Sequence, residues 1–387
     1  MSLTVSQQPQ AYTPAYNAQT FTALSNQIAI IDFKYVVTVQ INGGTVFTNN
    51  ILQRPDGYLV YDPIELVKNY ITRSYFDPTS VTCKYANGKS CAVEVNIKEF
   101  YSNAIQSTTK INYIAFDACL NDTDFRNYVY TNYVSNGSTI KLLSSSLNEF
   151  LQPENKLYLK NDIWLHFFRN SATAIKLDVY DETFTLQGTI SLSIPTTNQY
   201  IYYANVGYKT LVSNGYTPKD GWYIEVNINA GATNLYSNVI TFRESCSKYT
   251  KYALCYLKRN GNLQHFNFDL VSEESASKKT NTVRLNPSKI TSGVYGSNSW
   301  DREKYVVSTE ITKTIKLNTN WITETQSEQL DELWDSPIVW VVDENQNYIP
   351  VTITDTSYKY DKHINSALFN YSVTCEYGVQ ETRQRSI

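Results

Sequence analysis

Asn-Gly and Asp-Gly pairs punctuate this 387-residue chain, at Asn42-Gly43-Gly44, Asp56-Gly57, Asn87-Gly88, Asn136-Gly137, Asn214-Gly215, Asp220-Gly221 and Asn260-Gly261. Such pairs supply the positive φ angles that tight hairpins demand, so each predicts a chain reversal between strands. The runs between them alternate. In KYVVTVQI, Tyr35, Val37, Val39 and Ile41 fall on one face while Lys34, Thr38 and Gln40 face away, the period of a half-buried strand. Further strands are read at IWLHFF, AIKLDVY, TLQGTISLSI, YIYYANV and GWYIEVNI. The fold class that follows is mainly β, with several antiparallel β-sandwich or barrel units and a few short helices.

Two segments carry helix punctuation instead. Asp62-Pro63-Ile64-Glu65 offers an N-cap, a proline at the first helical position and a capping-box glutamate. It opens a helix running to about Arg73, with Ile64, Val67 and Ile71 on one face. A second helix over 324–335 is capped by Thr323 and Gln326, buries Leu330, Leu333 and Trp334, and stops at Ser336-Pro337. Before it, KYVVSTEITKTIKL reads as a strand with Tyr305, Val307, Ile311, Ile315 and Leu317 on one side. After it, IVWVV is apolar on both faces, as a strand buried on both faces must be.

No charged residue precedes Asp32. Residues 1–27 show neither period, so they read as a disordered terminus or as an extended N-terminal arm lying along a neighbouring subunit. The lack of charge favours the arm, with Tyr12, Pro14, Tyr16 and Phe21 as its subunit-interface residues. A β domain with a short helix is expected over 28–116, and an insertion or connecting loop over 117–150. A second β-sandwich-like domain follows over 151–245, then a C-terminal β domain over 246–387 containing helix 324–335.

Charged residues make up 18% of the chain, below the roughly 25% of an average soluble protein, and net charge is −3. Without a basic field, specific nucleic-acid binding is not expected. Tyr is the outlier at 32 residues. It favours strands and is also enriched at protein interfaces. The six cysteines (Cys83, Cys91, Cys119, Cys246, Cys255, Cys375) have no metal-ligand spacing and are expected as buried, reduced thiols. Cys83 and Cys91 flank a hairpin expected at Asn87-Gly88, where a two-residue turn sets Cys83 opposite Ala92 and only a three-residue loop aligns the thiols. The N-terminal segment has no basic-then-apolar leader pattern, and no run approaches a membrane span, so neither secretion nor membrane insertion is expected.

Chemistry-bearing motifs are sparse. His166, His265 and His363 are far apart and outside any HExxH-like spacing, and no GxSxG, P-loop or GxGxxG occurs. Asp178, Asp181-Glu182, Glu273-Glu274 and Asp343-Glu344 sit beside turns, where acids are normally solvated. Asp122 and Asp124 in NDTDF lack the glycine and closing glutamate of a calcium loop. Neither catalysis nor a cofactor is expected. Trp222-Tyr223 and Tyr200, Tyr202 and Tyr203 suit stacking on sugar rings as well as strand packing.

Two stretches resemble a known family. One is PAYNAQTF followed by DFKYVVTVQINGG and ILQRPDGYLVYDPIELVKNYI. The other runs from YALCYLKRNGNLQHFNFDL through KYVVSTEITKTIKLNTNWITETQSEQLDELWDSPIVWVV to NYIPVTITDTSYKY and LFNYSVTCEY. Their order resembles virion structural proteins of Bacteroides-infecting phages of the crAss-like podovirus type. The chain departs at Asn17-Ala18, where relatives often carry Asn-Pro, and at Gly261-Asn262-Leu263, where a glycine–aromatic pair is common. The resemblance implies a ring protein of the tail barrel or portal-proximal neck, assembled in the bacterial host cytoplasm and found in the virion. Its partners are then itself in a ring and other tail, portal or hub proteins, with no catalytic residues. The alternative is a tail-tip carbohydrate- or receptor-binding module.

Overall fold

A computed structural model describes residues 3–72, 76–132, 143, 156–158, 162–169, 171–196, 200–243, 248–285, 288–296, 303–355 and 368–378. The chain is mainly β, in several largely antiparallel sheets with few short helices, and no closed barrel occurs among the described residues. It divides into two units. The first holds residues 1–245 and 257–265, the second 246–256 and 266–387.

In the first unit the strands are β1 (Leu3–Gln7), β2 (Tyr12–Pro14), β3 (Phe21–Ser25), β4 (Lys34–Ile41), β5 (Val46–Ile51), β6 (Tyr58–Tyr61), β7 (Lys84–Tyr85), β8 (Ser90–Tyr101) and β9 (Ala104–Phe116). After them come β10 (Lys156–Tyr158), β11 (Trp164–Phe168), β12 (Ala174–Tyr180), β13 (Leu186–Ser193), β14 (Ile201–Asn205), β15 (Tyr223–Ala230) and β16 (Thr233–Arg243). A five-stranded sheet ordered β2-β9-β8-β4-β5 packs against a three-stranded one ordered β1-β3-β6, around Phe21, Tyr35, Val37, Val39, Ile41, Leu59 and Val95. The alternation of KYVVTVQI is what builds this interior, since all four of its inward residues are fully buried. A second core lies between β10-β16-β15-β12-β13 and β11-β14-β7. Because β7 pairs with β14, Tyr85 opposite Tyr202, the segments expected as separate β domains share one unit.

Most of the expected reversals form, with two differences. Asn42 and Gly43 both take positive φ between β4 and β5, in a tight turn closed by the Gly44 amide donating to the Ile41 carbonyl at 2.9 Å. At Asn87-Gly88 the chain does turn, with the Lys89 amide donating to Ala86 at 3.2 Å. However, β7 and β8 leave the turn for different sheets, so no hairpin sets Cys83 against Ala92 or Cys91. Asn214-Gly215 ends a helix, α3 (Tyr208–Ser213), where the Tyr216 amide reaches back to the Leu211 carbonyl at 3.0 Å. Asn136-Gly137 lies outside the described residues. Cys83, Cys91, Cys255 and Cys375 are buried free thiols, Cys119 is exposed against expectation, and Cys246 is not described.

The helix expected to reach Arg73 is shorter. After α1 (Ile64–Val67) the chain tightens into a 3₁₀ turn, and Ile71 is already extended. Thr72 is drawn away by donating to the Gly88 carbonyl at 2.9 Å. Asp62 does hold the start, accepting from the Ile64 amide at 3.0 Å. Asp122 and Asp124 open α2 (Asp122–Arg126), capped by Asn121, where acids suit the positive helix end.

The second unit is a seven-stranded sheet ordered β18-β17-β24-β25-β27-β22-β19. Its strands are β17 (Tyr252–Leu257), β18 (Leu263–Phe268), β19 (Glu273–Arg284), β20 (Lys289–Thr291), β21 (Val294–Gly296), β22 (Lys304–Asn318), β23 (Ile322–Thr323), β24 (Val339–Val342), β25 (Tyr348–Ile353), β26 (Leu368–Phe369) and β27 (Ser372–Tyr377). Helix α4 (Glu324–Trp334) buries Leu330 and Leu333 into the core with Leu254, Tyr256, Ile315, Leu317, Val341 and Val373. Trp334 is only half-buried, and the expected caps Thr323 and Gln326 lie outside the described side chains. β24 sits between two strands and buries three of its four residues, in line with the doubly apolar IVWVV. Of the expected face of KYVVSTEITKTIKL, Ile311, Ile315 and Leu317 keep one side, and Ile315 and Leu317 are buried. A bulge opposite Asn281/Thr282 makes Val307 the extra residue and turns it outward.

Candidate assembly surface

The chemistry-like groups of the first unit are sealed inside it. Lys89 leaves the Asn87-Gly88 turn into the interior, and its carbonyl accepts from the Asp117 amide at 2.8 Å. The Asn260-Gly261 turn closes over this pair. Gly261 has φ +82°, and a Cβ there would stand 1.7 Å from the Asp117 carbonyl oxygen and 3.5 Å from Lys89 Cε. Burial pulls the Lys89 ammonium down to about 7, against the opposing pull of Asp117. Burial, then Lys89, holds His166 well below the usual imidazole value, and its ring stacks on Tyr203 at 5.9 Å. Burial, then Lys209, takes His265 down to about 3. Shifts of this kind occur at active sites, but Lys89 and His166 are fully buried and Asp117 nearly so.

The remaining sequence candidates are scattered. Among the described residues no three His, Cys, Asp or Glu side chains converge as metal ligands would. His363 lies outside the described residues. Asp181 and Asp343 each hold a turn by accepting two backbone amides. Asp178 faces Glu225 across β12 and β15 and accepts from Thr189.

The four proposed subunit-interface residues belong to their own unit. Tyr12 is half-buried in β2, parallel to β9 and opposite Ile114, with its ring edge-on to Phe168 at 4.9 Å and stacked on Tyr130 at 6.1 Å. Pro14 is buried, and the next amide, Ala15, donates to Phe116 at 2.8 Å. Tyr16 packs half-buried on the first core, and Phe21 is fully buried against Tyr113. The uncharged N-terminus does pair along a sheet edge, but the edge is that of β9, and its apolar residues complete the chain's own core. This corrects the expectation of an arm on a neighbour.

Beside Tyr12 a groove of about 520 Å³ opens on the outward face of the five-stranded sheet, lined by Tyr12, Gln40, Glu94, Asn112, Ile114 and Tyr200 among others. Its carboxylate is engaged, because Lys110 Nζ lies 2.6 Å from Glu94.

The uncovered surface is a ribbon. β19 pairs with β22 from Glu273 opposite Lys316 to Arg284 opposite Lys304. On its other side β22 is paired with β27 over Thr314–Asn318. Beyond that point no third strand is paired with 276–284 and 304–313 among the described residues, a stretch about 30 Å long at 3.3 Å per residue. Every residue of β19 is exposed. Past its end the β20–β21 hairpin leaves Ile290, Val294 and Tyr295 exposed at 74%, 71% and 63%. The ion pair Lys279–Glu310 spans 3.9 Å between two exposed side chains and contributes little. A two-stranded ribbon is at best marginal in water, and an edge strand with free backbone groups invites another chain.

Sequence reasoning missed β19. EESASKKTNTVR has one strongly apolar residue in twelve, so no hydrophobic period marks it. The signal present was the length of its partner, since a 15-residue β22 exceeds what the other strands can cover.

No family model matches the chain, and no curated protein matches it. Among solved structures, the pullulanase SAP of Group B Streptococcus is 12% identical over 66% of this chain and 24% of its own, with TM-score 0.20. Salmonella alpha-2-macroglobulin is 8% identical over 99% of this chain and 34% of its own, with TM-score 0.19. The chain thus spans about a third or less of those proteins, and likeness at that level carries no argument about its role.

Proposed function

We propose that this chain is a structural component of a bacteriophage virion, a non-catalytic tail or ring protein. It oligomerises to build the tail barrel or the portal-proximal neck, beside other tail, portal or hub proteins. The observation that carries the self-assembly part is the ribbon, a long pair of strands to which no third strand is paired among the described residues, with an apolar hairpin past its end. Such an element gains its missing contacts from another subunit. The phage setting is supported by the ordered segments that resemble ring proteins of Bacteroides-infecting phages. Sedimentation of the full chain over a hundredfold concentration range, with electron microscopy of the heaviest species, tests the reading. Closed rings or tubes are expected, and a monomer at every concentration contradicts it.

The groove beside Tyr12 favours a second reading, a carbohydrate- or receptor-binding module of the tail tip. Against it, both contacts of the Tyr12 ring are already taken by Phe168 and Tyr130, and Glu94 is paired with Lys110. Binding on a glycan array that is lost in Tyr200→Ala would favour this second reading over the first.

A further inference from the structure

β19 ends the seven-stranded sheet, so its backbone groups on the side away from β22 meet no strand among the described residues. An open edge of this kind pairs with another strand, and its sequence decides which strands it accepts. The first seven residues of β19 read Glu273-Glu274-Ser275-Ala276-Ser277-Lys278-Lys279. Their charges are antisymmetric about Ala276, two acids before it and two bases after it, with a serine on either side.

An antiparallel pair of identical strands sets each residue opposite the one equally far beyond the two-fold axis. With the axis at Ala276, Glu273 of one copy faces Lys279 of the other and Glu274 faces Lys278, so every charge of the segment meets the opposite sign. Opposite charges across such a pair stabilise it, and like charges destabilise it. An axis between Lys278 and Lys279 sets lysine against lysine, and one between Glu273 and Glu274 sets acid against acid. The contact does not depend on these charges being free in their own chain. Glu273 lies opposite Lys316, Lys279 pairs with Glu310 at 3.9 Å, and the hydroxyls of Tyr252 and Tyr377 donate to Glu274. A strand residue has a lateral neighbour on each side, so pairing toward β22 leaves the open side for a second strand.

We infer that two copies of the chain join by antiparallel pairing of their β19 edges about Ala276. The inference rests on the self-assembly reading and adds which edges meet and in what register. The contact is isologous, since both copies use the same residues, and it runs the two seven-stranded sheets into one. Past Lys279 the ribbon of each copy continues alongside the other copy's chain ahead of Glu273. Lysines on an edge turn most strands away; here they admit one that presents glutamates in the matching places. Because the contact closes on itself, it joins copies two by two, and a ring built from such pairs needs a second, different contact.

Cysteine linking in the full chain tests this, with Cys119→Ser removing the exposed thiol. At the two-fold axis the two copies of position 276 lie about 4.5–5.5 Å apart between Cα atoms, within disulfide reach. Ala276→Cys should therefore oxidise to a covalent dimer joined at position 276, identified by mass spectrometry of the linked peptide. Thr280→Cys on the same edge should not link to itself, because in this register its two copies are about 26 Å apart at 3.3 Å per residue. Both positions are exposed, so neither substitution disturbs a core. Lys278→Glu, which sets acid against acid twice, should cut the yield of the 276 link about tenfold, and Lys278→Arg should leave it unchanged. Chains that sediment as an assembly without the 276 link, that link as readily at 280, or that link equally in Lys278→Glu and Lys278→Arg overturn the contact and leave the broader reading standing. A wild-type chain that is monomeric throughout removes both.

Discussion

Gly261 is the residue at which turn chemistry and tertiary packing meet. The Asn-Gly pair marked a reversal in the sequence, and the reversal is there. What no pattern could reveal is that the turn is pressed against the Asp117 carbonyl beside a buried lysine. Replacing Gly261 by Ala adds an atom where none fits and forces a side chain into positive φ, so a loss of about 2–4 kcal/mol is expected in urea unfolding. The buried bases give a pH signature. An unfolded chain binds protons at histidine below about 6.5, but His265 resists down to about 3 and His166 is shifted the same way. The unfolded state thus binds more protons in that window, and stability falls as pH drops through it. Lys89, near 7 when folded and about 10.4 when unfolded, makes stability climb above pH 7. The climb lasts until the thiols of Cys83 and Cys91, held up at about 12, oppose it above about pH 8.5. Urea midpoints across pH should show a shallower acid slope in His265→Gln, the remainder belonging to His166, and should lose the rise between pH 7 and 8.5 in Lys89→Met. A wild-type profile that is flat across both windows would refute this picture of the interior.

Among elements, those with a strong apolar period were legible and those without were not. β4, β12, β15 and α4 stand where alternation or a helical stripe put them. The N-terminal strands were illegible because β2 has three residues and β1 is mostly exposed, so their order comes from edges that form elsewhere in the chain. β19 was illegible for the opposite reason, being exposed along its whole length. An element that buries so little should add little to the stability of its own unit. Joining Ser275 to Thr314, which face each other across the ribbon, by a two-residue Asn-Gly turn removes the projection. The shortened chain should keep its unfolding midpoint within about 1 kcal/mol of the wild type, whereas Leu333→Ala should cost about 2–5 kcal/mol. A ribbon deletion as costly as Leu333→Ala would mean that the ribbon is part of the unit's own core.

At the scale of the whole molecule, the described sheets bury three apolar cores and leave the long β19–β22 ribbon exposed. Sheet content and the absence of familiar catalytic spacings could be read from the residues in order. The exposure of β19 along its whole length could not, because it depends on which strands the fold leaves at an edge. The most direct measurement is an electron cryo-microscopy map of the assembled protein in low salt. The account predicts residues 276–285 and 303–313 of each copy lying against a neighbouring copy. An assembly in which that ribbon projects free into solvent, with subunits joined elsewhere, would contradict it.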